Sequence, residues 1–187
     1  LAKGMNHERA GQYDKSREIY ESLIGQYPDS SEPAHRLGVL ADKQKRHEEA
    51  QALYTHAIKM RPGDAELFND LGYSFYLSGQ LPKAESALGK AIQLEPGNPR
   101  FHNNFGMVLG HQGRLSDAFD EFLKVGSEAD AHYNMAFIYA SQNKIDDAKT
   151  CFRRALASDP THSKASKALE SFNRFEQNGG QMIDDEF

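Results

Sequence analysis

The residues able to ligate a metal, relay a proton or attack an electrophile are eight histidines, one cysteine and the hydroxyl side chains. A zinc centre needs three or four His, Cys or carboxylate ligands at short recurring spacings. His7, His47, His56 and His162 show no such spacing, and the single Cys151 excludes both a multi-cysteine site and an internal disulfide. Neither standard glycine-rich phosphate loop is present, and no Ser, Cys or Thr stands beside a base in a recognisable nucleophile motif. Cys151 adjoins the bulky Phe152, a setting that suits an inert thiol. The expectation is a protein that is not an enzyme and holds no metal or cofactor.

Composition narrows the partners. Twenty-two Lys and Arg against 27 Asp and Glu leave a net charge of -5 over 187 residues, so the broad cationic field that phosphate backbones require is missing. Nucleic acid is therefore not an expected ligand. No apolar run approaches the ~20 residues that span a bilayer, and residues 1–15 are too polar for a signal peptide, so no membrane insertion is expected within this segment. The 39% hydrophobic residues suffice for a continuous core.

Where that core lies follows from an internal period. Residues 31–64 contain Leu37-Gly38, Ala50, Tyr54, Ala57 and Pro62, and residues 65–98 repeat them 34 positions later as Leu71-Gly72, Ala84, Leu88, Ala91 and Pro96. Residues 99–128 continue with Phe105-Gly106, Ala118, Phe122 and Val125, and residues 129–162 with Met135-Ala136, Ala148, Phe152, Ala155 and Pro160. Gly4, Ser16, Tyr20 and Leu23 fall on the same offsets before Pro28, so residues 1–30 read as a fifth, truncated copy and the chain as opening inside a domain. Apolar and small residues within each copy recur at helical spacing, which predicts two helices joined by a tight turn. Gly11, Gly79, Gly113 and Asn143 mark that turn, with Lys45 at the equivalent place in the second copy. Short side chains at the eighth, twentieth and twenty-seventh positions allow helices to approach closely.

These residues closely resemble the tetratricopeptide repeat family. Phe68, Leu71, Gly72, Phe75, Ala84, Leu88, Ala91 and Pro96 match its pattern almost ideally, and the resemblance covers residues 1–162. Ala34, His102 and His132 depart from the bulky fourth position and read as partly buried spacers in the two histidine cases, and Ala136 replaces the usual Gly. The phrases from Leu67 to Gln80 and from His102 to Arg114 look most like bacterial members. The resemblance implies an all-α fold, an α-solenoid built as a right-handed superhelix of antiparallel helix pairs.

The copy at 99–128 is shorter than the others and runs from Val125 through Gly126-Ser127-Glu128 straight into the next helix. Loss of about one helical turn can shorten the second helix while keeping its buried face aimed at the core. Residues 163–177 form an expected capping helix with Ala165, Ala168, Leu169 and Phe172 on one stripe and Glu170 in place of the small eighth residue, a feature of solubilising end caps. Residues 178–187 read as a flexible acidic tail, with docking into a neighbour's groove as the alternative.

In the family, the second, fifth, sixth, ninth, twelfth and thirteenth positions of each first helix line a concave groove. Transferred to this chain they include Glu32, His35, Arg36, Val39, Asp42 and Lys43, then Glu66, Asn69, Asp70, Tyr73, Tyr76 and Leu77. They continue with Arg100, Asn103, Asn104, Met107, Gly110 and His111, then Asp130, Tyr133, Asn134, Phe137, Ala140 and Ser141. The candidate peptide-binding residues are Asn69, Tyr73, Tyr76, Arg100, Asn103, Asn104, Met107, His111, Tyr133, Asn134 and Phe137. Large apolar and amphipathic groups on an open face mark binding surfaces, and asparagine amides suit the backbone of an extended peptide. The alternative is that some aromatics pack between helices and some asparagines merely tolerate the surface. Asn104 and Asn134 partly resemble the asparagine ladder of the repeats in protein sugar transferases. The carboxylate clamp of chaperone-binding members is not matched, since its five places hold His35, Val39, Asp70, Arg100 and Asn104, and Asp70 repels a carboxylate.

The function expected from the resemblance is a non-enzymatic scaffold that binds a partner peptide or helix in the groove from Asn69 to Phe137, with Tyr73, Asn104, Met107 and Phe137 converging on one ligand. The alternatives are the targeting repeats of a larger enzyme such as a glycosyltransferase, or a pilus or secretion assembly factor. Self-association stays open, as does the choice between cytoplasm and periplasm, any N-terminal signal or anchor lying outside this chain. Ala84 sits at an expected tight crossing, so Ala84→Leu is expected to overpack it and cost about 1–3 kcal/mol. Thermal melts of the two proteins check this, and an unchanged melting temperature would place Ala84 away from any crossing.

Overall fold

In a computed structural model that describes residues 1–177, those residues form eleven α-helices and no strand. They are α1 (Ala2–Arg9), α2 (Tyr13–Gln26), α3 (Ser31–Lys43), α4 (His47–Met60), α5 (Ala65–Leu77), α6 (Leu81–Leu94), α7 (Pro99–His111), α8 (Leu115–Leu123), α9 (Glu128–Ser141), α10 (Ile145–Ser158) and α11 (Ser163–Gln177). The acidic tail expected over 178–187 lies outside the described residues. The fold is an all-α helical-repeat fold of the α-solenoid class, and the described residues divide into two compact units, 1–108 and those from 109 onward, with the boundary inside α7.

The same turn joins the two helices of all five copies. Gly11, Lys45, Gly79, Gly113 and Asn143 take φ of 70°, 60°, 74°, 83° and 59°, a left-handed backbone that Gly adopts freely and Lys at a cost. The next residue then donates its N–H five positions back, as in Gln12 to His7, Arg46 to Ala41 and Gln80 to Phe75 at 2.8, 2.9 and 2.8 Å. That bond satisfies a carbonyl orphaned at the helix end, the mark of a Schellman stop. Lys45 keeps the geometry without glycine.

In the first unit, helix pairs are held by one close contact repeated three times. A Cβ built on Gly4 would meet Tyr20 Cε1 at 2.6 Å, one on Gly38 would meet Tyr54 Cε1 at 2.7 Å, and one on Gly72 would meet Leu88 Cγ at 2.6 Å. The interval from glycine to large partner is the same in all three pairs, and every partner is buried. Each such side chain contributes about 1.5–3 kcal/mol by leaving water. Neighbouring copies are then welded by small clusters that mix their residues: Ala34, Ala57 and Leu67; Ala65, Ala91 and Phe101; Ala84, Leu88 and Val108. Nearer the outer surface, Arg17 forks onto Glu49 at 2.7 and 3.2 Å and joins α2 to α4. The guanidinium pulls the Glu49 carboxyl below its ordinary value, in line with this geometry.

In the second unit the pattern shifts. Ala136 stands at the eighth position and is fully buried together with Phe152, the large residue at the interval that separates Gly72 from Leu88. The shortened copy gives α8 9 residues where α4, α6 and α10 have 14. The four-residue connection of the other copies is kept, so the deletion falls on α8, and α9 does not follow it directly as expected from the sequence. Ser127 ends that connection as the N-cap of α9: its Oγ accepts from Asp130 N–H at 3.1 Å while Asp130 Oδ2 accepts from Ser127 N–H at 3.1 Å, a reciprocal capping box.

Two glycines separate space from propensity. Gly72→Ala places a methyl against Leu88 and is expected to cost about 1–3 kcal/mol by overpacking. A Cβ built on Gly89, mid-helix in α6, meets nothing within 4 Å, so Gly89→Ala is expected to gain about 0.5–1 kcal/mol through helix propensity alone. Urea unfolding of both variants checks the opposite signs, and destabilisation at both sites would remove the close contact as the reason for Gly72.

Candidate functional site

Successive first helices of the first unit, α3, α5 and α7, bring a strip of polar side chains together. Asp70 on α5 is its hub. His35 Nε2 on α3 donates to Asp70 Oδ2 at 2.8 Å, Asn69 Nδ2 donates to Asp70 Oδ1 at 2.9 Å, and Arg100 Nη1 on α7 lies 3.4 Å from the same oxygen. Arg100 also pairs with Glu66, and Asn104 Nδ2 donates to Asn69 Oδ1 at 2.8 Å. The contacts between helices link side chains about one repeat apart, so the period delivers each partner. Beneath the strip, Tyr54 is hydrogen-bonded to Asp42, and burial, reinforced by the charges of Asp42 and Asp70, pushes its phenol far above the ordinary tyrosine range. Asp42 also accepts from Ser74 Oγ and from His47 Nδ1, both at 2.8 Å.

Beside the polar strip α5 presents an apolar ledge. Tyr73 is 42% exposed and Leu77 43%, although both are large, and the Tyr73 ring lies 5.9 Å from that of the half-buried Tyr76. Burial and then the neighbouring Tyr73 raise the Tyr76 phenol, so that ring stays a neutral hydrogen-bonding group at physiological pH. Asn103, Asn104 and Met107 are half-buried on α7. Asn69, expected on the open face, is instead fully buried at 1% exposure, with its amide engaged by Asp70 and Asn104. It braces the strip from below and offers nothing to a ligand. Asn104 keeps its Oδ1 as an acceptor on the face.

The second unit has its own aromatic face on α9. Tyr133 lies 5.0 Å from Phe137 and 5.8 Å from the buried Phe152, and Phe137 is 41% exposed. Tyr133 also stacks at 5.1 Å on His162, a residue that the sequence places in a turn. His162 Nδ1 accepts from Ala165 N–H at 3.1 Å and so caps α11, while Nε2 reaches Asp130 Oδ1 at 3.3 Å. Phe172 on α11 closes the cluster from the other side at 5.7 Å from Phe152. His111 Nε2 meets Ser141 Oγ at 2.8 Å, and Asn134 is half-buried on α9. The expected set is thus distributed, with Tyr73, Tyr76, Arg100, Asn103, Asn104 and Met107 in the first unit and His111, Tyr133, Asn134 and Phe137 in the second.

Asp70 and His162 fall outside the candidate set read from sequence. For His162 a signal exists in the period, because the last position of the copies 31–64 and 65–98 holds Asp64 and Asn98, whose side chains accept from the N–H groups of Glu66 and Arg100 at the starts of α5 and α7. Elsewhere the chemistry is quiet. Burial pushes the Cys151 thiol above its ordinary value, and among the described residues no group of three His, Cys, Asp or Glu is placed to hold a metal. His102 is buried and donates Nε2 to the Pro96 carbonyl at 2.8 Å, and the His132 ring packs 4.9 Å from Phe119. No described helix is long and apolar enough to cross a membrane.

Comparison with known proteins agrees with this architecture. One model described as tetratricopeptide repeat matches residues 129–162, and a second with the same description matches 1–65, 35–99 and 69–134. Among solved structures, YrrB, titled a TPR protein with an unusual peptide-binding site, is similar at TM-score 0.66 and 21% identity over 89% of this chain and 88% of that one. MamA is similar at TM-score 0.71 and 20% identity over 86% and 96%, and TTC0263, a thermophilic TPR protein in Thermus thermophilus, at 0.66 and 18% over 93% and 97%. At these identities the likeness is one of fold. No curated protein is significantly similar in sequence.

Burial lowers the proton affinity of His132 below the ordinary histidine value, against a smaller opposing pull from Glu128. The unfolded chain therefore takes up that proton first. Its contribution to stability is complete above about pH 6.5, the unperturbed histidine value, and is lost as pH falls through the lower folded-state value. The depressed carboxyls of Glu49, Asp130 and Asp159 act only at more acid pH. The drop in melting temperature between pH 7.5 and pH 5.5 is expected to be smaller for His132→Phe than for the wild type, and identical drops would show that the ring is solvated.

Proposed function

This chain belongs to the tetratricopeptide repeat family, and on that premise we propose that it is a non-enzymatic interaction scaffold whose first helices hold a peptide or helix of a partner protein. The observation that carries the reading is the exposure of Tyr73 and Phe137, each about two-fifths open to solvent on a first helix. Covering the two-fifths of such a ring that stays open gains roughly 1 kcal/mol, whereas its exposure does nothing for the fold. The remaining groove residues then serve as a mixed polar and apolar surround. Tyr76, Arg100, Asn103, Asn104 and Met107 frame Tyr73, and His111, Tyr133 and Asn134 frame Phe137.

The polar strip favours recognition of main-chain amides over capture of a free charge. Arg100 is already paired with Glu66 and Asp70, and the acid Asp70 is already met by His35 and Asn69, so an incoming group finds little uncompensated charge in the first unit. With Asn104 Nδ2 donating to Asn69, its Oδ1 supplies the acceptor for a peptide N–H in this reading. YrrB carries the words peptide-binding in its own description, which lends support to the same class of ligand for a chain of this fold.

Truncating a ring that anchors a partner costs about 2 kcal/mol or more, roughly a thirtyfold loss of affinity. Capture of partner proteins on immobilised chain is expected to fall accordingly for Tyr73→Ala and for Phe137→Ala, and to persist for Lys90→Ala on the exposed side of α6. Circular dichroism is expected to show all three variants folded. Unfolding of Tyr73→Ala would make it a core residue, and undiminished capture by both aromatic variants would place binding elsewhere.

A further inference from the structure

The helix α11 carries a charged face that no contact within the described residues uses. Lys164, Lys167 and Arg174 fall on one side of it together with Ser171, at the alternating three- and four-residue spacing that aligns side chains along a helix, and all four are exposed. None of the three cations has an ion-pair or hydrogen-bond partner among the described residues. This contrasts with the first unit, where Arg17, Arg36, Lys43 and Arg100 all sit on carboxylates. The acids Asp130 and Glu170 of the same unit are already engaged. Asp130 is held by Ser127 and His162, and its carboxyl lies below the ordinary value chiefly because of the Ser127 hydroxyl. Glu170 accepts from Ser166 Oγ at 3.2 Å.

This row starts beside the aromatic face of the same unit. His162 caps α11 and stacks on Tyr133, which in turn meets the exposed Phe137, so the N-terminal end of the basic row and the aromatic pair share one neighbourhood. The period places them in the same way: the offset that brings Glu66 to Arg100 relates Tyr133 to Lys167 and Phe137 to Ser171. From Lys164 to Arg174 the row spans about 15 Å of helix, the reach of roughly four or five residues of extended chain. Unpaired cations lose little solvation when a carboxylate meets them at a surface, while the aromatic pair supplies the area burial that ion pairs alone lack.

From this complementarity we propose that the face formed by Lys164, Lys167, Arg174, Tyr133 and Phe137 binds an extended acidic peptide, with side-chain carboxylates along α11 and an aromatic or aliphatic side chain seated against Tyr133 and Phe137. The inference rests on the scaffold reading above and specifies the partner class for the second unit. It differs from capture of a chain terminus, because the cations are strung along a helix and meet side chains in series. The segment Gln181–Phe187 of this chain, with three consecutive acids next to Met, Ile and Phe, has the required composition and makes a convenient probe.

The test is fluorescence anisotropy of a labelled, C-terminally amidated peptide of sequence QMIDDEF against the full chain. A second form of the chain, with Asp184→Asn, Asp185→Asn and Glu186→Gln, removes self-competition. Binding to at least the second form is expected, weakened about tenfold or more by Lys167→Glu and by Phe137→Ala, weakened by raised salt, and lost for the neutral peptide QMINNQF. Lys90→Glu is expected to leave it within about twofold. No binding to either form, equal binding of the neutral peptide, or indifference to Lys167→Glu in a folded variant overturns the proposal. If partner capture still depends on Tyr73 or Phe137 in that event, the scaffold reading stands and only the acidic class falls; tighter probe binding to the second form than to the wild type identifies the chain's own segment as a competing occupant and supports the assignment.

Discussion

The close approach of a first helix to a second helix, set at each pair of the first unit by a glycine facing a large side chain, is the constraint from which the rest follows. Gly4 under Tyr20, Gly38 under Tyr54 and Gly72 under Leu88 leave no space for a methyl group, so the two backbones of each pair lie as near as an aromatic or leucine side chain permits. Because the contact recurs once per copy, it hands the same orientation to each copy in the first unit, and side chains one period apart come within hydrogen-bond reach.

The polar strip shows what this repetition makes available. Asp70 would be an expensive group at 17% side-chain exposure if left alone. It is surrounded by donors from its own helix and from the copies on either side, so its charge is balanced by neighbours that the period supplies. The burial of Asn69 is offset in the same way, through two amide contacts. Such a network is satisfied only as a whole, and removing one member would orphan the others. It holds α3, α5 and α7 in register and leaves Tyr73 and Leu77 as a ledge that stays open to solvent beside it.

The second unit reaches a comparable arrangement by other means. Its eighth position is Ala136, and its aromatic cluster joins Tyr133, Phe137, Phe152 and Phe172 across three helices. The capping box of Ser127 and Asp130 starts α9 after a connection of ordinary length that lacks the terminal Pro, so the shortening of this copy is taken up by α8. His162 links cap, carboxylate and ring in one residue, so the start of α11 is tied to the aromatic face through a single imidazole. The cations of α11 stay outside this network.

Much of the molecule is readable in the sequence because a period is a property of residue order. The helix pairs, the small residues at tight crossings and the left-handed turn, even where Lys45 replaces glycine, all follow from spacing, since one full period returns every buried position to the same side of its helix. The exposed rings of Tyr73 and Phe137 are also legible from their offsets. What only the tertiary structure decided is which polar groups the face keeps for itself. Asn69 and Asn104 differ by one place within their copies, yet the first is buried and fully engaged while the second keeps an acceptor on the surface. Asp70 became a hub and His162 a cap for the same reason: the fate of each depends on partners in a neighbouring copy, as in His35 with Asp70 and His162 with Asp130. Spacing determines which side of a helix a residue occupies, but hydrogen bonding is a matter of fractions of an ångström between side chains from different copies, and that is settled only when the copies pack.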